Sequence, residues 1–113
     1  MNIIKKYKAE RFENSTVCTV YEYEQPTKAF DMAIIELSGR YPDSGWTKNT
    51  ACEALVQVIN GEGRLYYLGS EIGLSEGDQV YIPRNEAYAF EGTMKLLFAS
   101  TPKWSPEQAH HEP

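Results

Sequence analysis

The sequence predicts an all-β domain, an antiparallel barrel or sandwich. Three observations predict it. Short runs rich in Val, Ile, Tyr and Phe recur along the chain. Several of them alternate in character with a period of two. Nearly every run stops at a cluster of Gly, Pro, Asn, Asp or Ser of the kind that turns a chain back on itself. The pattern is densest from Gly45 to Phe90.

Met1 to Phe12 reads as an N-terminal arm with a short strand. Ser15 to Tyr23 (STVCTVYEY) is the first full strand, with Val17, Thr19 and Tyr21 on one face and Cys18, Val20 and Glu22 on the other. Glu24 to Lys28 turns the chain into FDMAIIEL, Phe30 to Leu37, which Ser38-Gly39 ends. Its apolar content also suits a helix, but its length is that of a strand. Arg40 to Ser44 is a loop, and Gly45 to Asn49 leads into the dense stretch. There ACEALVQVI is a long strand ending at Asn60-Gly61-Glu62-Gly63. RLYYL follows, ending at Leu68-Gly69-Ser70-Glu71. Ile72 to Leu74 is a short piece, and Ser75 to Asp78 turns into QVYIP. Pro83 to Glu86 turns again into AYAF, Glu91-Gly92-Thr93 forms another turn, and MKLLFAS is the last strand. From Thr101 the tail is polar and proline-containing. Ser105 followed by Pro106 is the start signal of a short helix.

At 113 residues the chain is expected to be one domain (1-113), with a barrel core over 30-100 and a tail over 101-113. The net charge of −5, with Lys and Arg scattered, disfavours a phosphate backbone, so no nucleic-acid partner is expected. No apolar run approaches the length of a membrane span. The N-terminus lacks the pattern of a secretory leader. The two cysteines, Cys18 and Cys52, make neither a disulfide framework nor a zinc-finger pattern. A cytoplasmic protein with free thiols is the expectation.

Two motifs carry a family resemblance. Gly77, Pro83, Asn85 and Tyr88 resemble the spacing of the second cupin motif. Val58-Ile59-Asn60-Gly61-Glu62-Gly63 is similar to the end of the first. Gly45-Trp46 and Trp104-Ser105-Pro106-Glu107-Gln108 are similar to segments of a subgroup of small bacterial cupins. The resemblance covers roughly residues 30 to 100. It implies a cupin-like double-stranded β-helix (jelly-roll) barrel with a short helical or irregular tail, and a homodimer paired through sheet edges or the N-terminal arm.

The family's metal ligands are two histidines and a glutamate from the first motif and a histidine from the second. Aligned on this chain they fall on Thr47 or Lys48, Asn49 or Thr50, Glu53 or Ala54, and Tyr88. The only histidines, His110 and His111, lie in the tail. Tight transition-metal sites want imidazole or thiolate. No metal ligand and no cofactor is therefore assigned.

Glu53 is the candidate acid or base if it faces the interior, where burial would raise its pKa; facing outward it is a solvated charge. Register decides between the two. Tyr88 either meets a ligand with its hydroxyl or fills the space of the missing metal. Phe90 shares its face, with Val56 behind it if Ala54, Val56 and Val58 point inward. Cys52 is a thiol at a pocket mouth or a buried inert one. Asn49 orients a ligand or stabilises its loop. Trp46 and Trp104, in Gly- or Pro-flanked segments, cover a pocket mouth or pack in the core or at an interface. The candidate ligand set is thus Trp46, Asn49, Cys52, Glu53, Val56, Tyr88 and Phe90, around an apolar pocket with a polar rim.

Three functions follow. The first is a metal-free barrel holding a small organic ligand. The second is a metal-independent isomerase or epimerase with Glu53 as base and Tyr88 as acid. The third is a packing or partner-binding module with a closed core.

Overall fold

A computed structural model describes residues 1–113. Nine strands form one curled, antiparallel sheet. They are β1 (Glu10–Ser15), β2 (Cys18–Glu22), β3 (Asp31–Tyr41), β4 (Trp46–Asn49), β5 (Glu53–Tyr67), β6 (Ser70–Ser75), β7 (Gln79–Ile82), β8 (Tyr88–Thr101) and β9 (Ala109–Glu112). Beside them stand only two 3-10 turns, Lys6–Lys8 and Pro106–Gln108. No helix is long and apolar enough to cross a membrane.

β8 is the shared wall. It pairs with β3 from Tyr41↔Phe90 to Asp31↔Ser100, and with β5 from Tyr67↔Tyr88 to Glu53↔Thr101. β2 and β1 extend the sheet beyond β3, and β6 and β7 line up end to end along β5. The strands must curve. At about 3.3 Å per residue, the 15 residues of β5 would span roughly 46 Å if straight, more than the longest extent of the molecule, 42 Å.

Several expected strand ends are not ends. Gly61 and Gly63 lie inside β5, Gly92 inside β8, and Ser38-Gly39 inside β3. The physical reason is close approach. Gly39 faces Gly92, and Gly92 faces Gly63, so three glycines sit in register across β3, β8 and β5. A methyl on Gly92 would stand 2.5 Å from the Gly63 Cα, so the backbones meet where no side chain fits. Leu68-Gly69 is a true turn, a two-residue hairpin with both φ values positive.

β5 also carries a bulge at Ile59, where the pairing with β8 jumps from Val58↔Leu96 to Asn60↔Lys95. An extra residue reverses which parity faces inward. Before it, Ala54, Val56 and Val58 are buried; after it, the buried residue is Leu65. The core runs between these side chains and those of β2, β3 and β8, among them Cys18, Leu37, Phe90 and Leu96.

Two boundaries change. The wall begins before residue 30, because β2 supplies Cys18, Val20 and Glu22 to the interior. The tail is not merely helical or irregular: after Pro106–Gln108 it becomes β9, which pairs with β4 and carries both histidines, His110 opposite Lys48 and His111 opposite Thr47.

Candidate functional site

Alternation on β2, β3 and β8 aims a row of side chains into the curl of the sheet. They enclose a cavity of about 130 Å³, 12 of whose 16 lining residues are apolar. Ile35, Leu37, Leu96 and Phe98 form its body. Tyr88 and Phe90 meet edge to face with centroids 5.5 Å apart. The polar lining is sparse: Asn14, Ser100, and the carboxylates of Glu22 and Asp31, with the Tyr41 and Tyr88 phenols. No Lys, Arg or His lines it. A smaller chamber of about 60 Å³ adjoins, sharing Tyr41, Tyr88, Phe98, Ser100 and Trp104 with the first.

Burial sets the chemistry of these groups. It pushes the Tyr88 phenol far above its ordinary pKa, with neighbouring Tyr41 adding to the shift, and it raises Tyr41 in the same way. Both stay protonated, each with an O–H that a ligand could accept from. Burial raises the Cys18 thiol to about 11, so at neutral pH it is not a nucleophile. The Glu22 carboxyl is also raised, by burial first and then by the charges of Asp31 and Glu10. Glu10 pairs with Glu22 across β1 and β2. None of these three carboxylates has an ion-pair partner; the ion pairs lie elsewhere, at Arg11, Lys48, Arg64 and Arg84.

The structure separates the residues singled out from the sequence. Tyr88 and Phe90 line the cavity, and Asn49 and Cys52 line the smaller chamber. Asn49 is already engaged. Its Oδ1 accepts from the backbone N–H of Ala51 (2.8 Å) and Cys52 (2.6 Å), and its Nδ2 donates to Gln108. Cys52 is buried, its thiol raised by burial and then by the charge of Asp31.

Val56 is buried in the core away from both chambers. Trp46 lies outside them too, where the Arg40 guanidinium stacks on its ring at 5.6 Å. Glu53 points outward. Its neighbour Ala54 takes the inward position, and the Glu53 carboxylate accepts from Arg84 Nη2 at 2.9 Å and from the Tyr81 hydroxyl at 3.5 Å on the surface. Glu53 and Tyr88 therefore do not meet in one cavity, and the pairing of those two as base and acid fails. Period-two alternation is the reason: the register that buries Ala54, Val56 and Val58 must expose Glu53.

Glu22, Asp31 and Ser100 also line the cavity and were missing from the expected set, as was Trp104, which the sequence offered only as a cover for a pocket mouth. For Glu22 the signal was present, since alternation placed it on the face of Cys18 and Val20.

Of the aligned metal-ligand positions, Thr47, Lys48, Asn49, Ala54 and Tyr88 line the smaller chamber. They offer a hydroxyl, an ammonium paired with Glu112, an engaged carboxamide, a methyl and a phenol that burial keeps protonated. That donor set does not fit a transition metal. Nowhere do three or more His, Cys, Asp or Glu side chains gather as an ion would require.

No protein-family model matches the sequence, and no curated protein matches it. Solved structures do match by shape. Streptomyces PAC13, a nucleoside dehydratase, solved as a single-residue variant with uridine, superposes with a TM-score of 0.89 over 100% of this chain and 92% of that one, at 16% identity. KdgF from Halomonas sp. gives 0.77 over 93% and 96%, at 11% identity. An RmlC-like cupin from Shewanella frigidimarina gives 0.70 over 85% and 86%, at 14% identity. With β8 as its shared wall and an apolar hollow inside the curl, the chain has the cupin fold.

Proposed function

We propose that the barrel interior binds a small organic molecule, neutral or cationic, that seats one ring in the larger hollow and extends its remainder toward the adjoining chamber. The observation that carries this reading is the cavity lining: apolar along its body, with two carboxylates and no basic side chain. Its volume, about 130 Å³, is close to the ~150 Å³ of a protein cavity that takes up benzene. A ring-sized fragment fits, with a polar substituent reaching Ser100, Glu22 or Asp31. An anion would meet uncompensated negative charge in a place of low dielectric. Uridine, found with PAC13, is itself an uncharged ring compound.

The hollow favours this reading over a closed packing module. The isomerase reading loses its base with the outward turn of Glu53. Acid–base work on a bound ligand would fall to Glu22 and Asp31 instead. Pairing of two copies is proposed alongside, through the open edge of β1, which ends the sheet and is exposed along most of its length; sedimentation at micromolar concentration tests it, and a monomer refutes it.

The binding test is thermal stabilisation by benzylamine and uridine, set against benzoate and uridine monophosphate. A ligand at 100 times its Kd stabilises by about 2.7 kcal/mol, roughly a 10 °C rise for a domain of this size. The amine or the nucleoside is expected to raise Tm and the anions are not. In the variant Ala33→Leu, which fills the cavity from β3, the rise is expected to vanish. An equal rise with the anions, or one that survives Ala33→Leu, overturns the reading.

A further inference from the structure

The segment between β8 and β9 crosses the mouth of both chambers. Trp104 at its centre lines both, yet 37% of its surface is exposed. From Thr101 to Pro113 no residue is buried. Apolar packing therefore does not hold the segment down.

Backbone bonds pin its two ends, from the Lys103 N–H to the Lys28 carbonyl (2.9 Å) and from the Thr50 N–H to the Gln108 carbonyl (3.0 Å), and one side chain latches the stretch between. Gln108 Oε1 accepts from Asn49 Nδ2 at 3.2 Å, from the Ser105 backbone N–H at 3.1 Å and from the Cys52 thiol at 3.1 Å. Gln108 Nε2 donates to the Lys103 carbonyl at 3.2 Å. A single carboxamide thus grips the chain on both sides of Trp104 and ties it to the loop between β4 and β5. The Cys52 thiol has a second acceptor in the Pro102 carbonyl, also at 3.1 Å. Cys52 is 4% exposed, and strap atoms are its hydrogen-bond partners.

We infer that Pro102–Gln108 is a strap that opens locally to admit the ligand, with Trp104 as the wall it carries and Gln108 as the positioning residue that latches it. Elements held by partly exposed hydrogen bonds open at lower free energy than those held by core side chains. Trp104 lines both chambers, so lifting the strap removes a wall from each while β3, β5 and β8 stay paired. The inference rests on the cavity being a binding site, but its test needs no ligand, so the two can fail separately.

The reporter is Cys52. Its modification by methyl methanethiosulfonate, followed site by site by mass spectrometry, measures how often the strap is open. Two variants break the latch differently. Gln108→Ala removes it. Asn49→Asp keeps the Oδ1 that receives the Ala51 and Cys52 amides, but sets an oxygen in place of the nitrogen against Gln108 Oε1. An added carboxylate beside Cys52 disfavours the thiolate, so a faster reaction in Asn49→Asp reports opening rather than intrinsic reactivity.

Both variants are expected to speed Cys52 modification at least tenfold while hydrogen exchange at the β3 and β8 amides stays at the wild-type rate. In a Trp46→Phe background, the Trp104 emission of Gln108→Ala is expected to be quenched more strongly by acrylamide. Unchanged Cys52 rates in both variants overturn the inference. So do Cys52 rates that rise only together with exchange of the β3 and β8 amides, since opening would then be global unfolding.

Discussion

Replacing Gly92 by alanine tests the close approach of β8 to β5. Two penalties apply. At a φ of +143° the backbone is in a region that side chains other than hydrogen avoid, at a cost of about 1–3 kcal/mol. The new methyl would also lie 2.5 Å from the Gly63 Cα and 2.6 Å from the Glu62 carbonyl oxygen. These contacts are about 1 Å inside the usual carbon contact distance. Both atoms belong to the backbone of a paired strand and cannot rotate aside, so overpacking adds about 1–3 kcal/mol. The sum, about 2–6 kcal/mol, is a large share of the ~5–15 kcal/mol of a typical domain. It lowers Tm by roughly 8–24 °C. Urea unfolding followed by aromatic fluorescence measures the loss. Gly73→Ala in β6 is the control: a methyl there meets nothing within 4 Å and is expected to be neutral or slightly stabilising. A Gly92→Ala protein within about 1 kcal/mol of wild type, or a Gly73→Ala protein equally weakened, would refute the reasoning.

The carboxylates of the cavity predict a pH signature. Glu22 has a raised pKa in the folded state, so the fold binds its proton more tightly than the unfolded chain does. The resulting stabilisation is full below the ordinary pKa of 4.5 and is lost as pH rises through the raised value. Glu22→Gln is therefore expected to raise Tm at pH 7, with the gain shrinking as pH falls toward 4.5; thermal melts across that range check it, and a gain that grows toward low pH contradicts it. Glu53→Gln removes only a surface pair with Arg84, so stability is expected to change by under about 1 kcal/mol, and ligand-induced stabilisation to stay the same. Loss of that stabilisation would return Glu53 to the site.

How much of this was legible depended on whether a residue's role is local. The strands β2 and β3 could be read because alternation is local: Cys18, Val20 and Glu22 share a face in the sequence as they do in the barrel. The glycines could not. Gly69 in a hairpin and Gly92 inside β8 are the same letter, and only the partner strand reveals that Gly92 stands against Gly39 and Gly63. The choice between Glu53 and Ala54 turned on which parity of β5 meets the core, and the burial of Ala54, Val56 and Val58 together settles it. The two tryptophans differ by what lies opposite them. Arg40 covers the half-buried Trp46 beyond both chambers, while a carboxamide four residues on holds Trp104 over the hollow. Neither partner is adjacent in sequence to the tryptophan it places.

The extra residue in β5 makes the strand a two-part ruler with its phase reversed at the joint. Remove Ile59 and nothing about composition changes, but the second half turns over. Leu65 and Tyr67 would swing to the solvent, and Arg64 and Tyr66, now tied to Glu91 outside, would be driven into the hollow. The sequence between Glu53 and Tyr67 therefore tolerates exchange of many side chains more readily than a change of length by one.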